Sequence, residues 1–263
     1  MRSESPFNAL AVAAVTIFFH HALRKLYPTK RQRAWIITGL SSAAMCLGSI
    51  PFVLDIAESR GDITALRPRY RLAALICRAF QGFLLADLIV GSRYYPSHVT
   101  ICWGWIHHNA YIVLLHYLVR RGWAHCFCLA AVMELPTLHL SLAFLHPRFR
   151  HDWLFCGFFL ATRIVFHLFL LGVMLAPMGR SVVQGSRLPA TFLALAFPGH
   201  AVWFMQSVRG AIRRSRSKEA ATPVALQSPS DSDFIAFVDQ PIVSATLVPQ
   251  SWKHGTRVIL RPI

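Results

Sequence analysis

Residues 72–90 read LAALICRAFQGFLLADLIV, a run in which only Arg78 and Asp87 are charged. As a helix rising 1.5 Å per residue it extends about 28 Å, close to the ~30 Å thickness of a bilayer's hydrocarbon core. Six further runs have the same character: Phe7 to Leu23, Ala34 to Leu54, Ile101 to Val119, Trp123 to Leu145, Leu154 to Leu175 and Leu188 to Val208. The expected architecture is all-α, a polytopic bundle of about seven transmembrane spans followed by a tail.

The rest of the composition agrees. The chain is 263 residues long, 55% hydrophobic and 14% charged, with a mean hydropathy of +0.46. That is more apolar mass than one soluble core of this size needs, which excludes an ordinary soluble enzyme. The net charge of +16 does not point to nucleic acid, because the basic residues form short clusters between apolar runs and not an aromatic-interleaved face. All six cysteines lie in or beside apolar runs, where a disulfide framework has no loops to staple. Cys126 and Cys128 are one residue short of a CxxC and have no second pair.

The first run has a weak n-region and no A-x-A-like site, and the basic KRQR at residues 30–33 follows it. It reads as an anchor, residues 1–29, ahead of a transmembrane domain over 30–214. Pro198 and Gly199 in the last run allow a kink or a re-entrant turn, with helix the default. Short Lys/Arg-rich loops resist translocation. Seven spans place thirteen basic residues on the side of Arg24–Arg33 and Arg209–Lys218, against nine on the other. The expected arrangement is a lumenal N-terminus and a cytosolic C-terminus. The Arg209–Lys218 cluster reads as juxtamembrane anchoring to anionic headgroups. Residues 215–263 read as a cytosolic low-complexity tail, where Ser228 and Ser230 beside Asp231 and Asp233 are candidate phosphorylation sites.

Function is sought where polarity is costly. An acid or arginine at mid-span costs about 2.5 to 3.5 kcal/mol on insertion scales, so such groups face the bundle interior. They are Asp87 in the third run, His107, His108 and His116 in the fourth, Glu134 and His139 in the fifth, Arg163 and His167 in the sixth, and His200 in the seventh. Together they are expected to line one polar cavity. Successive helical residues turn by about 100°, so His107 shares a face with Tyr111 while His108 lies in an arc with Asn109, Ile112 and His116. Arg163 and His167 are four apart and are expected to present themselves to one partner, a carboxylate on another helix. Arg78 and Asp87 are nine apart, so Asp87 needs a partner elsewhere. No helical metal-ligand spacing is present around the histidines, and no metal is expected. The alternative for each histidine is a hydrogen bond that fixes helix register.

Four stretches carry a resemblance. FLLADLI at 83–89 with YYP at 94–96, WIHHNAY at 105–111, MELPTLHLSLAFL at 133–145 and FFLATRIVFHLFL at 158–170 resemble the TLC-domain family. That family comprises translocation-associated TRAM proteins, Lag-type ceramide synthases and related lipid-homeostasis proteins. The resemblance covers roughly Lys30 to Arg214 and aligns best with the branch that is not ceramide synthase. It implies an endoplasmic-reticulum or endomembrane protein that binds, senses or escorts long-chain lipids, sphingolipids among them, with membrane lipids as partners and no cofactor. Ceramide synthases pair the two histidines with two aspartates, where this chain has the single acid Glu134. Pro136 and Leu138 replace that branch's serine and proline, and Ser141 and Ala143 its asparagine and arginine. Were the chain an enzyme, the family implies N-acyl transfer from acyl-CoA. His108 with His107 would then act as general base, Glu134 or Asp87 would orient it, and Arg163, His167, Tyr111 and His116 would bind substrate.

Overall fold

The computed structural model describes residues 7–220, and no strand occurs among them. Helix α1 is Phe7–Leu23, α2 Lys30–Glu58 and α3 Tyr70–Tyr94. Helix α4, residues 101–121, opens as a π-helix over Ile101–Ile106 and continues as an α-helix over His107–Arg121. Helix α5 is Ala124–Leu145 and α6 Asp152–Leu175. A short α7, Pro177–Ser181, leads to α8, Leu188–Ala220. Six of these are long and apolar enough to cross a membrane, and α4 is not among them. It holds the required length of helix, but three histidines and Asn109 dilute its hydropathy.

Helix α8 is continuous through Pro198, so the re-entrant alternative does not occur. It runs to Ala220 and includes the start of what the composition marks as tail. The phosphorylation candidates lie outside the described residues.

Chain ends and loops meet in two groups. At one end the Tyr27 hydroxyl lies 3.2 Å from His146 Nε2, Gln32 donates to the Leu145 carbonyl, and Arg214 donates to Asp152 Oδ2 at 2.7 Å. At the other, Arg121 donates to the Gln184 side chain and α7 packs on the turn Ile63–Ala65. Helices α2, α5, α6 and α8 run from one group to the other, whereas α1 starts against the middle of α3, where Ala9 and Val12 face Gly82. The ends are cut by local chemistry. Thr29 and Gln32 form a reciprocal capping box that starts α2, satisfying two donors that open the helix. Gly122, at φ 76°, stops α4 in the left-handed region.

Helices α2 and α5 lie centrally. Helix α2 packs on α3 and α5, α3 on α1 and α4, and α6 on α5 and α8. Phe52, Met45, Cys77, Leu115, Cys128 and Leu129 are fully buried between them. Inside lipid the hydrophobic effect does not draw helices together, so close fit and interhelical hydrogen bonds must. Among the long helices α1 fits closely on α3, where a Cβ at Gly82 would lie 2.6 Å from the Ala9 carbonyl oxygen.

One loop is clasped by ions. Asp55, whose side chain is 1% exposed, accepts from the Arg67 amide at 3.1 Å, from Arg67 Nε at 2.8 Å and from both terminal nitrogens of Arg69. Arg69 adopts φ 39° to make this turn. Glu58 adds a longer contact to Arg67 at 3.6 Å, and Asp62 caps the turn by accepting from the Thr64 amide and hydroxyl. Replacing Asp55 by alanine is expected to release residues 59–69 at a cost of about 2 kcal/mol, since Arg67 stays largely solvated. Trypsin then cuts folded protein faster after Arg67 and Arg69. Unchanged cleavage contradicts the clasp.

Candidate functional site

The intramembrane charges of α3 find their partners on α4. The two helices run antiparallel, so positions nine apart on one meet positions eight apart on the other. Asp87 Oδ2 lies 3.0 Å from His108 Nε2, and Arg78 Nη1 lies 3.3 Å from His116 Nδ1. Between them Gln81 Nε2 donates to the Ile112 carbonyl at 2.7 Å. A carboxylate only accepts, so His108 carries its proton on Nε2. Its Nδ1 is buried and has no hydrogen-bond partner among the described residues. His107 points elsewhere, with its ring 4.6 Å from that of Tyr111. The face of α4 that holds them turns to α5, where Tyr111 meets Phe127.

A second centre joins α2, α5 and α6. Pro136 has no amide proton to continue the α5 ladder, and the helix tightens to a 3-10 turn over Ala131–Glu134 before resuming at Leu135. The break presents the Met133 carbonyl to Arg163, which donates to it through Nε at 2.8 Å. Arg163 Nη2 also reaches Thr137 Oγ1 at 2.7 Å and Glu134 Oε1 at 3.3 Å. Ser42 of α2 donates to Glu134 Oε2 at 3.1 Å. The Arg163 side chain is 11% exposed and that of Glu134 26%, so the pair is neither sealed nor free. Nη1 of Arg163 makes no hydrogen bond among the described residues.

His167 does not join its neighbour four residues back. Residues Leu160–Val165 form a π-helix, whose wider i→i+5 turn takes residues four apart out of register. Arg163 therefore faces α5, and His167 faces α8. There His167 Nε2 donates to the Leu193 carbonyl at 2.9 Å, which leaves Nδ1 to accept from His200 Nδ1 at 3.0 Å. His139 lies apart, stacked on Phe155 and flanked by Phe158.

The expected single cavity is thus divided among three helix interfaces. Asp87 and His108 belong to α3/α4, along with Arg78 and His116. Glu134 and Arg163 belong to α2/α5/α6, and His167 and His200 to α6/α8. His107 and Tyr111 lie between the first two, and the charge of Arg163 acts on them as it does on His167 and His200. The sequence reading missed Ser42 and Thr137. Thr137 carries a signal, because it falls three residues after Glu134 on one helical face. Ser42 carries none within GLSSAAM, residues 39–45. Among the described residues no group of three or more His, Cys, Asp or Glu side chains is placed to hold a metal ion. Compared with known proteins, the chain matches no family model, no curated protein and no solved structure. What it does must be inferred from its own residues.

Proposed function

We propose that this chain is a multipass endomembrane protein of lipid homeostasis, a TLC-like bundle of seven spans that binds, senses or escorts long-chain lipids. The observation that carries the reading is Arg163, a cation inside the membrane-spanning bundle with Nη1 unclaimed and a carboxylate and two hydroxyls around it. A headgroup phosphate, carboxylate or amide carbonyl suits that nitrogen, and Thr137, Ser42 and Glu134 suit a headgroup hydroxyl or amine. The acyl chains would lie along the apolar faces of α5, α6 and α8. Six apolar helices support membrane residence. The endoplasmic-reticulum location, the lumenal N-terminus and the sphingolipid preference belong to the proposal.

A second reading rests on one observation, the Asp87–His108 pair. Asp87 fixes the tautomer and leaves the Nδ1 lone pair of His108 unused, the state a general base needs to take a proton from an attacking amine. That nitrogen is buried, and the carboxylate pair of the synthases is absent, so binding is preferred. The test incubates purified chain with long-chain acyl-CoA and a sphingoid base and follows both covalent product and intact co-purified lipid by mass spectrometry. Binding predicts intact lipid near stoichiometric amount and no N-acyl product. Turnover that disappears on His108→Ala, with His107→Ala as the companion variant, establishes the transferase in its place.

A further inference from the structure

Helix α8 is 33 residues long, about 50 Å at 1.5 Å per residue, and so outruns a ~30 Å hydrocarbon core by several turns. Its last turns carry Arg209, Arg213, Arg214 and Arg216, and they divide by face. Arg214 turns inward and donates to Asp152 Oδ2 at 2.7 Å, tying α8 to the start of α6. Arg150 shares the same carboxylate at 3.6 Å. Gly210 makes room for this, because a Cβ there would lie 3.1 Å from Arg214 Nη1. Arg209, Arg213 and Arg216 stand at i, i+4 and i+7, on one stripe of the helix, and all three are exposed. With Ile212 and Ser217 they line an open groove of about 430 Å³.

We infer that this groove is a binding site for the polyanionic headgroup of a phosphorylated membrane lipid. Three guanidinium groups on successive turns are spaced for separate phosphate oxygens, which a guanidinium grips through paired N–H donors. The Ser217 hydroxyl donates to the Arg213 carbonyl at 3.0 Å, so the grip belongs to the guanidinium groups, and Ile212 meets the glycerol or acyl boundary. The place suits a headgroup, since it lies at the end of the bundle where Tyr27, His146 and Asp152 mark the helix ends. Arg214 has a structural role here, fixing the stripe's direction, and is not part of the grip. A diffuse basic surface attracts all anionic lipid alike, whereas a stripe of guanidinium groups on successive turns of one helix favours clustered phosphates.

The experiment reconstitutes the full chain in nanodiscs of neutral phosphatidylcholine and titrates three probes. They are a fluorescent phosphatidylinositol bisphosphate in the disc, a fluorescent phosphatidylserine in the disc, and soluble inositol trisphosphate. The inference predicts preference for the bisphosphate lipid over phosphatidylserine. It predicts roughly thirtyfold weaker binding in the double variant Arg213→Gln, Arg216→Gln. The matched variant Lys25→Gln, Lys30→Gln, which removes equal charge from the same end of the bundle, is expected to bind as the unaltered chain does. Equal losses in the two variants, or equal binding of both lipids, overturn it in favour of unspecific surface charge. Soluble inositol trisphosphate that binds as tightly as the lipid overturns the membrane source.

Discussion

Arg163→Met is expected to destabilise the bundle by about 3 kcal/mol, because it strands Glu134 among helices with only Ser42 to satisfy it. The carboxylate's partial exposure holds the figure at the lower end for a broken buried pair. The double variant Glu134→Leu, Arg163→Met removes both charges and is expected to regain most of that stability. Its lipid binding stays lost, since the ligand's anchor is gone. Unfolding midpoints in detergent micelles, read beside co-purified lipid, separate the two effects. A single variant as stable as the unaltered chain means that the pair does not hold α5 to α6.

The second large effect belongs to Gly82. Any side chain there meets the Ala9 carbonyl at 2.6 Å and Val12 Cβ at 2.7 Å, and a backbone oxygen within a helix cannot swing aside. Gly82→Val is expected to push α1 from α3 and cost about 3 kcal/mol, the upper range for overpacking. Van der Waals fit joins these helices along most of their contact, with a side-chain hydrogen bond between His21 and Tyr94 at 2.9 Å near one end, so the loss is local. Hydrogen exchange over residues 7–23 is expected to speed while α5 and α6 keep their protection. Unchanged exchange in α1 contradicts the close approach.

These two sites show where the sequence is informative. The apolar runs locate the helices within a few residues, because membrane thickness dictates length and the bilayer tolerates little but helix. Helix α8 is the exception and continues twelve residues beyond its run to Ala220. Asp87 and Arg78 are legible as groups that cannot serve each other along α3, and each does find a histidine on α4. Glu134 with Arg163 follows the same logic, since a mid-span cation needs a carboxylate. The expectation of one shared cavity did not foresee the division among three helix interfaces. It assumed regular helices, and the π-helix at Leu160–Val165 and the 3-10 turn at Ala131–Glu134 rephase the side chains beyond them. Those breaks send His167 to α8 and bring the Met133 carbonyl to Arg163. Gly82 is silent in sequence because its value lies in what α1 does, more than sixty residues away.

The most direct measurement feeds cells a long-chain lipid with a photoactivatable group near its headgroup, crosslinks it, and maps the adducts on the purified full chain. Binding at the Glu134–Arg163 centre predicts adducts on the peptides that hold Ser42, Thr137 and Arg163, and their disappearance from the double variant Glu134→Leu, Arg163→Met. Adducts confined to outward-facing positions such as Val113 and Leu195, and equal in chain and variant, contradict it.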